Sequence, residues 1–241
     1  VSSPLPSPLP PSLPPSLTKP ASFVRLSVPG KHNPVQVQPY LNKIFEGISR
    51  VSFEEGKVTG MSSSLGELVS FGAAVATEEA DEEGALAVRR IEGWLRDTEA
   101  EMRASLRGQF EEAGKEQDTR KRGEWLFAWP AQLILALEQC RWTSVVEEGL
   151  EGHRKDPRGP QDVLDLEVSR LRELVALTGD SKAQETRHAE TLGALIVLAV
   201  HTRDVTAELV RNGVSGVEEF EWTTHLRHYV LYDVPPRGAT K

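Results

Sequence analysis

Histidines and acidic residues at helical spacing are the side chains of this sequence best suited to bind a metal ion. His225 and His228 stand three residues apart in a segment with helical periodicity, so both would lie on one face of a helix. A second set, His188, His201 and Asp204, would suit a metal-dependent hydrolase built on helices. The first pair lacks an identifiable third ligand, and for His201 we favour an ordinary hydrogen-bond partner such as Asp204. We therefore predict no metal site and keep the hydrolase as an alternative.

Motifs for phosphate binding and nucleophilic catalysis are missing from the sequence. Gly56-Lys57, followed by Thr59, lacks the first glycine and the following helix of a phosphate-binding loop. The sequence contains no G-x-S-x-G, H-E-x-x-H or C-x-x-C motif. Its single cysteine, Cys140, cannot form an internal disulfide, which is typical of a reducing compartment. We predict no catalytic, cofactor-binding or metal-binding residues, and therefore no enzyme activity in this chain.

The composition narrows the class of protein further. The chain has 241 residues, of which 39% are hydrophobic and 27% charged, enough for one globular domain or an extended helical element. A net charge of -8 argues against nucleic acid and anionic membranes as partners. The longest apolar run, residues 192–200, is far shorter than the roughly 20 residues that cross a bilayer. Because the sequence starts at Val1 without a signal peptide, we expect a piece of a longer protein.

The chain divides into three parts by composition. Residues 1–36 form a tail rich in Pro, Ser and Leu, which we predict to be disordered because proline is excluded from helices and central strands. Its P-x-x-P spacings would suit an SH3-like groove. Residues 37–232 are the folded part, and residues 233–241 are a C-terminal extension.

The first third of the folded part predicts a short helix followed by strands. Pro39 begins the helix, and three β-prone pieces at residues 51–53, 57–61 and 68–71 predict a small hairpin or meander near residues 50–72. The acidic stretch 78–83 is predicted to be a loop or a helix start.

The remainder carries helical periodicity. Apolar residues recur at three and four residues in five segments, which predict helices over residues 84–116, 130–153, 161–178, 181–211 and 217–232. Leu164, Val168, Leu171 and Val175 are the predicted inner face of the third helix, and residues 192–200 predict a helix buried on nearly every side. The fold class is therefore mainly α, a helical bundle with a small β-meander.

A set of ordered motifs in this helical part resembles one known family. The motifs are W-L-F-A-W-P-A-Q at residues 125–132, Trp142-Thr143, V-H-T-R-D-V at 200–205, F-E-W at 220–222 and L-R-H at 226–228. In this order they resemble the linker of dynein heavy chains just before the first AAA+ module. Upstream pieces such as V-T-G-M at 58–61 are also similar, so the resemblance covers about residues 37–232. The wording of the first and third motifs is closer to axonemal than to cytoplasmic heavy chains.

The resemblance implies a mechanical function. In dyneins the linker is an elongated, mostly helical arm across the AAA+ ring, and its bending with the ATP cycle drives minus-end-directed movement along microtubules. ATP and magnesium would bind in the ring of the parent protein, and intermediate chains, light chains and microtubules would contact other parts of it. The implied location is the axoneme of a cilium or flagellum, with the cytoplasm as the alternative. We expect these residues to act as packing anchors: Trp125, Trp129, Pro130, Gln132, Trp142, His201, Arg203, Asp204, Trp222 and Arg227.

The alternative to a motor segment is a free-standing helical adaptor. Such a protein would bind its partners through the proline-rich tail and the acidic stretch. The two hypotheses differ in the gene that they require, because a linker segment needs an AAA+ ring in the same polypeptide.

Overall fold

A computed structural model of the chain describes residues 34–80, 86–88, 90–153 and 156–230. Its strands are β1 Arg50–Glu54, β2 Lys57–Ser62, β3 Leu68–Ala76, β4 Glu78–Ala80 and β5 Leu86–Val88. Its helices are α1 Leu41–Ile44, α2 Ile91–Glu116, α3 Arg122–Leu126, α4 Ala131–Gly152, α5 Gly159–Leu177, α6 Thr186–Arg211 and α7 Phe220–Thr223, with 3₁₀ turns at Pro34–Tyr40 and Ser181–Gln184. The predicted class, mainly α with a small antiparallel sheet, is confirmed. Residues 1–33 of the predicted tail, which spans residues 1–36, and the C-terminal extension lie outside the described residues, whereas residues 34–36 belong to the first 3₁₀ turn.

Strands β1, β2 and β3 form a three-stranded sheet, which is the predicted meander. Its strand order is β1-β2-β3, with antiparallel pairing throughout. Glu55 and Gly56 form a two-residue turn between β1 and β2, with φ values of 48° and 72°. Positive φ at both positions is the geometry that matches the twist of a hairpin, and glycine adopts it without strain.

A bulge interrupts β3 and meets helix α2. Pairing with β2 passes from Ser70 directly to Val75, so the residues between them have no counterpart on β2. The backbone amide of Gly72 donates to Ser105 Oγ at 3.0 Å, and the amide of Ala73 donates to Glu101 Oε1 at 2.9 Å. Side chains of α2 therefore satisfy backbone groups that the sheet leaves free.

The sheet and the first half of α2 enclose an apolar interior, the first core. It contains Val37, Leu41, Val51, Val58, Met61, Val69, Val75, Trp94 and Met102. Trp94 is fully buried and stacks on Phe53 with ring centroids 6.4 Å apart. Helix α2 continues into the helical part, where Ala113 belongs to the second core.

Two elements before α2 differ from the prediction. Part of the acidic stretch, predicted to be a loop or a helix start, forms strand β4, which pairs with β5. The first long helix begins at Ile91 rather than at residue 84, because β5 takes up Val88 in that pairing. An apolar residue at helical spacing was therefore assigned to the wrong element.

Helices α3 to α6 surround the second and third cores. The second core joins α2, α3, α4, α5 and α6, and the third joins α4, α5, α6 and α7. Helices α4 and α5 approach closely at two glycines, since a Cβ atom at Gly159 would lie 2.7 Å from the carbonyl oxygen of Gly149. No helix in the described part of the chain is long and apolar enough to span a membrane.

The buried face of α5 differs from the predicted one. Val163, Glu167 and Leu174 are buried, whereas Val175, a member of the predicted face, is 51% exposed. The real face includes a charged residue, which a search for apolar residues alone excludes. The predicted buried face was therefore rotated around the helix axis by about one residue.

The burial predicted for residues 192–200 of α6 was also wrong. Val197, in the middle of the apolar run, is 71% exposed, and Leu192 and Leu195 alone among residues 192–200 are fully buried. Within the described residues α6 packs on α4 and α5, which cover one side of the helix. It is therefore not buried on nearly every side.

The last predicted helix, residues 217–232, is mostly absent from the described structure. Only α7 is helical, and residues 226–230 are irregular. A helix over residues 217–232 would place Leu226 and Tyr229 on one face with Trp222, but they are 77% and 53% exposed. Contacts with α4, described below, hold this segment instead of helical hydrogen bonds.

Candidate functional site

A buried cluster of charged side chains joins three helices. It consists of Arg122 on α3, Glu138 and Arg141 on α4, and Glu167 and Arg170 on α5, and we call it the charge network. Helical spacing puts the members of each helix on one face, because Glu138 and Arg141 are three residues apart on α4, as are Glu167 and Arg170 on α5.

Glu138 is the centre of the charge network. Its Oε2 accepts from Arg122 Nη2 at 2.9 Å and from Arg141 Nη2 at 3.3 Å, and Arg170 Nη1 lies 3.9 Å away. Gln117 Nε2 donates to Oε1 at 3.2 Å. Burial raises the pKa of the Glu138 carboxyl, but the charges of Arg122 and Arg141 outweigh it and hold the pKa below the ordinary 4.5. The carboxylate is therefore ionised at neutral pH.

The network continues to α5 and α6. Arg141 Nη2 also lies 3.4 Å from Glu167 Oε1, so one guanidinium links both carboxylates. Thr202 on α6 donates from Oγ1 to Glu167 Oε2 at 3.1 Å. Glu167 is 3% exposed and Glu138 7% exposed. Because removal of one partner leaves a buried charge unpaired, the network favours the arrangement of helices in which both carboxylates keep their arginine partners.

A hydrogen bond outside the charge network connects the three-stranded sheet to the helical part. Glu67, in the loop before β3, accepts at Oε1 from the backbone amide of Ala131 at 2.8 Å. Ala131 is the first residue of α4, where free amide groups and the helix dipole favour a negative charge. A carboxylate 64 residues earlier in the chain thus caps α4.

A group of hydrogen bonds holds the C-terminal segment, residues 220–230, against α4. Glu147 Oε1 accepts from Tyr229 Oη at 2.6 Å and from Trp222 Nε1 at 3.3 Å. The amide of His228 donates to Thr143 Oγ1 at 3.1 Å. Desolvation, followed by the hydrogen bond to Glu147, raises the pKa of Tyr229 above its ordinary value of 10.0.

The aromatic residues predicted as packing anchors lie in or beside the cores. Trp125 is buried and donates from Nε1 to the carbonyl of Ala113 at 2.8 Å. Trp129 is half-buried and donates to Glu116 Oε2 at 3.1 Å. Trp142 and Trp222 form an edge-to-face pair in the third core, with ring centroids 5.4 Å apart. Each of the four rings therefore has partners on another element.

The remaining predicted anchors are half-buried or exposed in this chain. Pro130 is half-buried and directly precedes α4 rather than opening it, so it occupies the cap position. Gln132 and His201 are exposed. Arg203 and Arg227 are half-buried. Arg203 Nε lies 2.9 Å from the exposed Asp204, so Asp204 pairs with its neighbour. Their role as anchors stays a prediction.

The proposed metal ligands are not brought together. His188 is buried and its Nδ1 lies 2.9 Å from the carbonyl oxygen of Lys182. His201 is thirteen residues further along the same helix, about 20 Å away. His225 and His228 are not on a helix. Among the described residues no group of three or more His, Cys, Asp or Glu side chains could hold a metal ion.

The lone cysteine has little reactivity. Cys140 is half-buried on α4, and burial raises the pKa of its thiol. The reactive thiolate form is therefore disfavoured at neutral pH.

Sequence reasoning missed the charge network. None of its five members was singled out as a candidate functional residue. One signal was present, because Glu138 lies four residues after Ile134 and four before Trp142, both buried. A charged residue at a position of an apolar helical stripe points to an ionic partner in the interior.

A known family model matches the N-terminal part of this structure. Residues 26–113 match the dynein heavy chain, N-terminal region 2. Among the described residues the match includes the sheet and most of α2, and it ends where α2 reaches the second core. The chain belongs to the dynein heavy chain family.

Within that family the chain is similar to axonemal members. It is 36% identical over 203 residues to dynein axonemal heavy chain 1 of Mus musculus, covering 83% of this chain and 4% of that protein. It is 34% identical over 202 residues to dynein axonemal heavy chain 12 of Homo sapiens, covering 82% of this chain and 6% of that protein. The chain thus spans a small fraction of the length of the relatives that it matches.

Proposed function

We propose that this chain is a mechanical linker segment of an axonemal dynein heavy chain. It would couple ATP hydrolysis in an AAA+ ring, elsewhere in the parent protein, to minus-end-directed movement along microtubules. The observation that carries the proposal is the charge network, in a chain similar to axonemal heavy chains. It joins α3, α4 and α5 through buried charges, and a hydrogen bond from Thr202 adds α6.

A segment of an arm that transmits force has to keep its own shape while the arm as a whole bends. Isolated helices are only marginally stable, whereas helices that share buried contacts resist relative movement. The charge network adds a geometric requirement to this packing, because sliding one helix would separate buried charges. Glu67 extends the connection to the sheet, and Glu147 extends it to the C-terminal segment. These contacts favour a stiff element over a flexible adaptor.

The proposal places chemistry and most partners outside this chain. ATP and magnesium would bind in the ring, and intermediate chains, light chains and microtubules would bind other parts of the parent protein. The ring itself would contact this segment. The place of action would be the axoneme of a cilium or flagellum.

The decisive experiment uses the parent heavy chain. The double variant Glu138→Gln/Glu167→Gln removes both buried negative charges, and Glu173→Gln/Glu190→Gln removes two exposed ones from α5 and α6. We expect microtubule gliding to slow several-fold in the first variant, with microtubule-stimulated ATPase activity retained, and neither quantity to change in the second. Equal gliding in both variants would contradict the proposed stiffening, and loss of ATPase activity would assign the segment to the chemistry.

A simpler test uses the 241-residue chain. The proposal expects no binding of ATP with magnesium in calorimetry, because a triphosphate site needs a phosphate loop and metal-binding acids. Stoichiometric, magnesium-dependent binding at micromolar affinity would contradict it.

The gene offers an independent test. If the segment is a linker, the coding sequence that follows should contain a strand, the motif G-x-x-x-x-G-K-[ST] and a helix, in that order. A reliable transcript that stops soon after this segment would instead favour the free-standing adaptor.

A further inference from the structure

The charge network does not balance. Three guanidinium groups, those of Arg122, Arg141 and Arg170, face two carboxylates, those of Glu138 and Glu167, which leaves one positive charge. The side chains of the three arginines are only 20%, 12% and 18% exposed, so bulk water does little to screen this charge.

The same arginines carry donors without acceptors. Four of their nitrogen atoms are buried and have no hydrogen-bond partner among the described residues: Arg122 Nε, Arg141 Nε, Arg141 Nη1 and Arg170 Nη1. A buried donor without a partner costs free energy, and a charged donor costs more than a neutral one. Four such atoms in one cluster indicate that an acceptor belongs there.

A small cavity lies at this place. All five members of the charge network line it, together with Trp142, Thr202 and apolar residues of α5 and α6. The space open to the centre of a water-sized sphere is about 10 Å³, just enough for one particle of about that size, so a phosphate ester or a nucleotide does not fit.

We propose that this cavity binds a single small inorganic anion, with chloride as the physiological occupant. One negative charge would balance the network, and a spherical anion accepts several N–H donors from different directions. A water molecule would fit the volume but would leave the positive charge uncompensated. The site is independent of the proposed motor function, because it rests only on charge, donors and volume.

Thermal unfolding of the 241-residue chain tests the site. Sodium chloride replaces sodium gluconate at constant ionic strength, since gluconate is too large for the cavity. Binding to the folded state alone stabilises it in a saturable manner. If the dissociation constant is about a tenth of the highest chloride concentration, the melting temperature should rise by about 3 °C. Bromide should act in the same way.

Two variants separate specific binding from general salt effects. Arg170→Met removes the surplus charge and leaves the hydrogen bonds of Glu138 and Glu167 in place, so the saturable chloride response should disappear. Arg172→Met makes the same charge change at an exposed position of α5 and should keep the response. Crystals soaked in sodium bromide should show one anomalous peak among the three arginines. An identical response in wild type and Arg170→Met, or a cavity without the bromide peak, would overturn the proposal.

Discussion

The two ends of helix α2 lie in interiors of different chemistry. Its first half faces the first core, in which apolar side chains such as Val58 and Trp94 fill the space between sheet and helix. Its other end approaches α4, and Gln117, directly after the helix, donates to the buried Glu138. The first interior gains stability from burial without regard to direction. The second adds charged hydrogen bonds, which hold only in one arrangement. One chain thus combines a region that accepts different apolar packing arrangements with a region whose charged side chains require one geometry.

The largest expected effect comes from an aromatic residue of the helical part. Trp222 is fully buried, packs on Trp142 and donates to Glu147. We expect Trp222→Ala to lower the free energy of unfolding by about 3 to 5 kcal/mol, as the loss of a large core aromatic does. Reversible urea denaturation measures this change.

A matched substitution sharpens the comparison. Trp94 is equally buried, but its Nε1 has no hydrogen-bond partner among the described residues. Replacement by Phe should therefore cost less at position 94 than at position 222, where a hydrogen bond to Glu147 is also lost. A loss below about 0.5 kcal/mol for Trp222→Ala would mean that this ring packs on the surface.

The next effect concerns the charge network. Glu138→Gln keeps the size of the side chain but removes the charge that faces Arg122 and Arg141. We expect a loss of about 2 to 3 kcal/mol, because hydrogen bonds to charged groups exceed neutral ones. The control Glu173→Gln, at an exposed position of α5, should stay within about 0.5 kcal/mol of wild type. Equal values for both variants would refute the claim that the helical part depends on charge.

The pH dependence follows from the lowered pKa of Glu138. A carboxyl with a pKa lower in the folded than in the unfolded state contributes stability that is complete above the unfolded value, near 4.5. This contribution falls as the pH drops through the folded pKa. The stability difference between wild type and Glu138→Gln should therefore be constant above about pH 5.5 and shrink below pH 4.5. A difference that stays constant down to pH 3 would contradict the role of Glu138.

The smallest effect on stability is expected at the hydrogen bond that joins the sheet region to the helical region. Glu67→Gln keeps an oxygen that accepts from the Ala131 amide but removes the negative charge at the start of α4. We expect a loss of about 0.5 to 1 kcal/mol, the usual size of a charge–dipole contribution. The exposed Glu46 provides the control, because Glu46→Gln changes the same charge in the same part of the chain. Equal stability of both variants would argue that Glu67 does not hold α4.

Sequence patterns predicted the parts of the fold in which one local signal decides. Strands β1 and β2 were predicted because the β-prone pieces lie on both sides of the turn residues Glu55 and Gly56. The face of α5 was misplaced because Glu167 and Arg170 point inward, and their partners lie on helices distant in sequence. Residues 224–230 were predicted as helix because periodicity cannot detect the competing contacts with Thr143 and Glu147. Burial of charge is a property of the assembled helices.

The bulge in β3 has a consequence for how the chain is made. The amides of Gly72 and Ala73 find their acceptors on Ser105 and Glu101, which are synthesised 33 and 28 residues later. While the ribosome is still producing the intervening chain, these amides have only water to bind. Domains emerge from their N-terminal end during synthesis, and exposed strands are prone to pair with other chains. The sheet of a nascent chain thus cannot reach its final hydrogen-bonding pattern until most of α2 has left the exit tunnel.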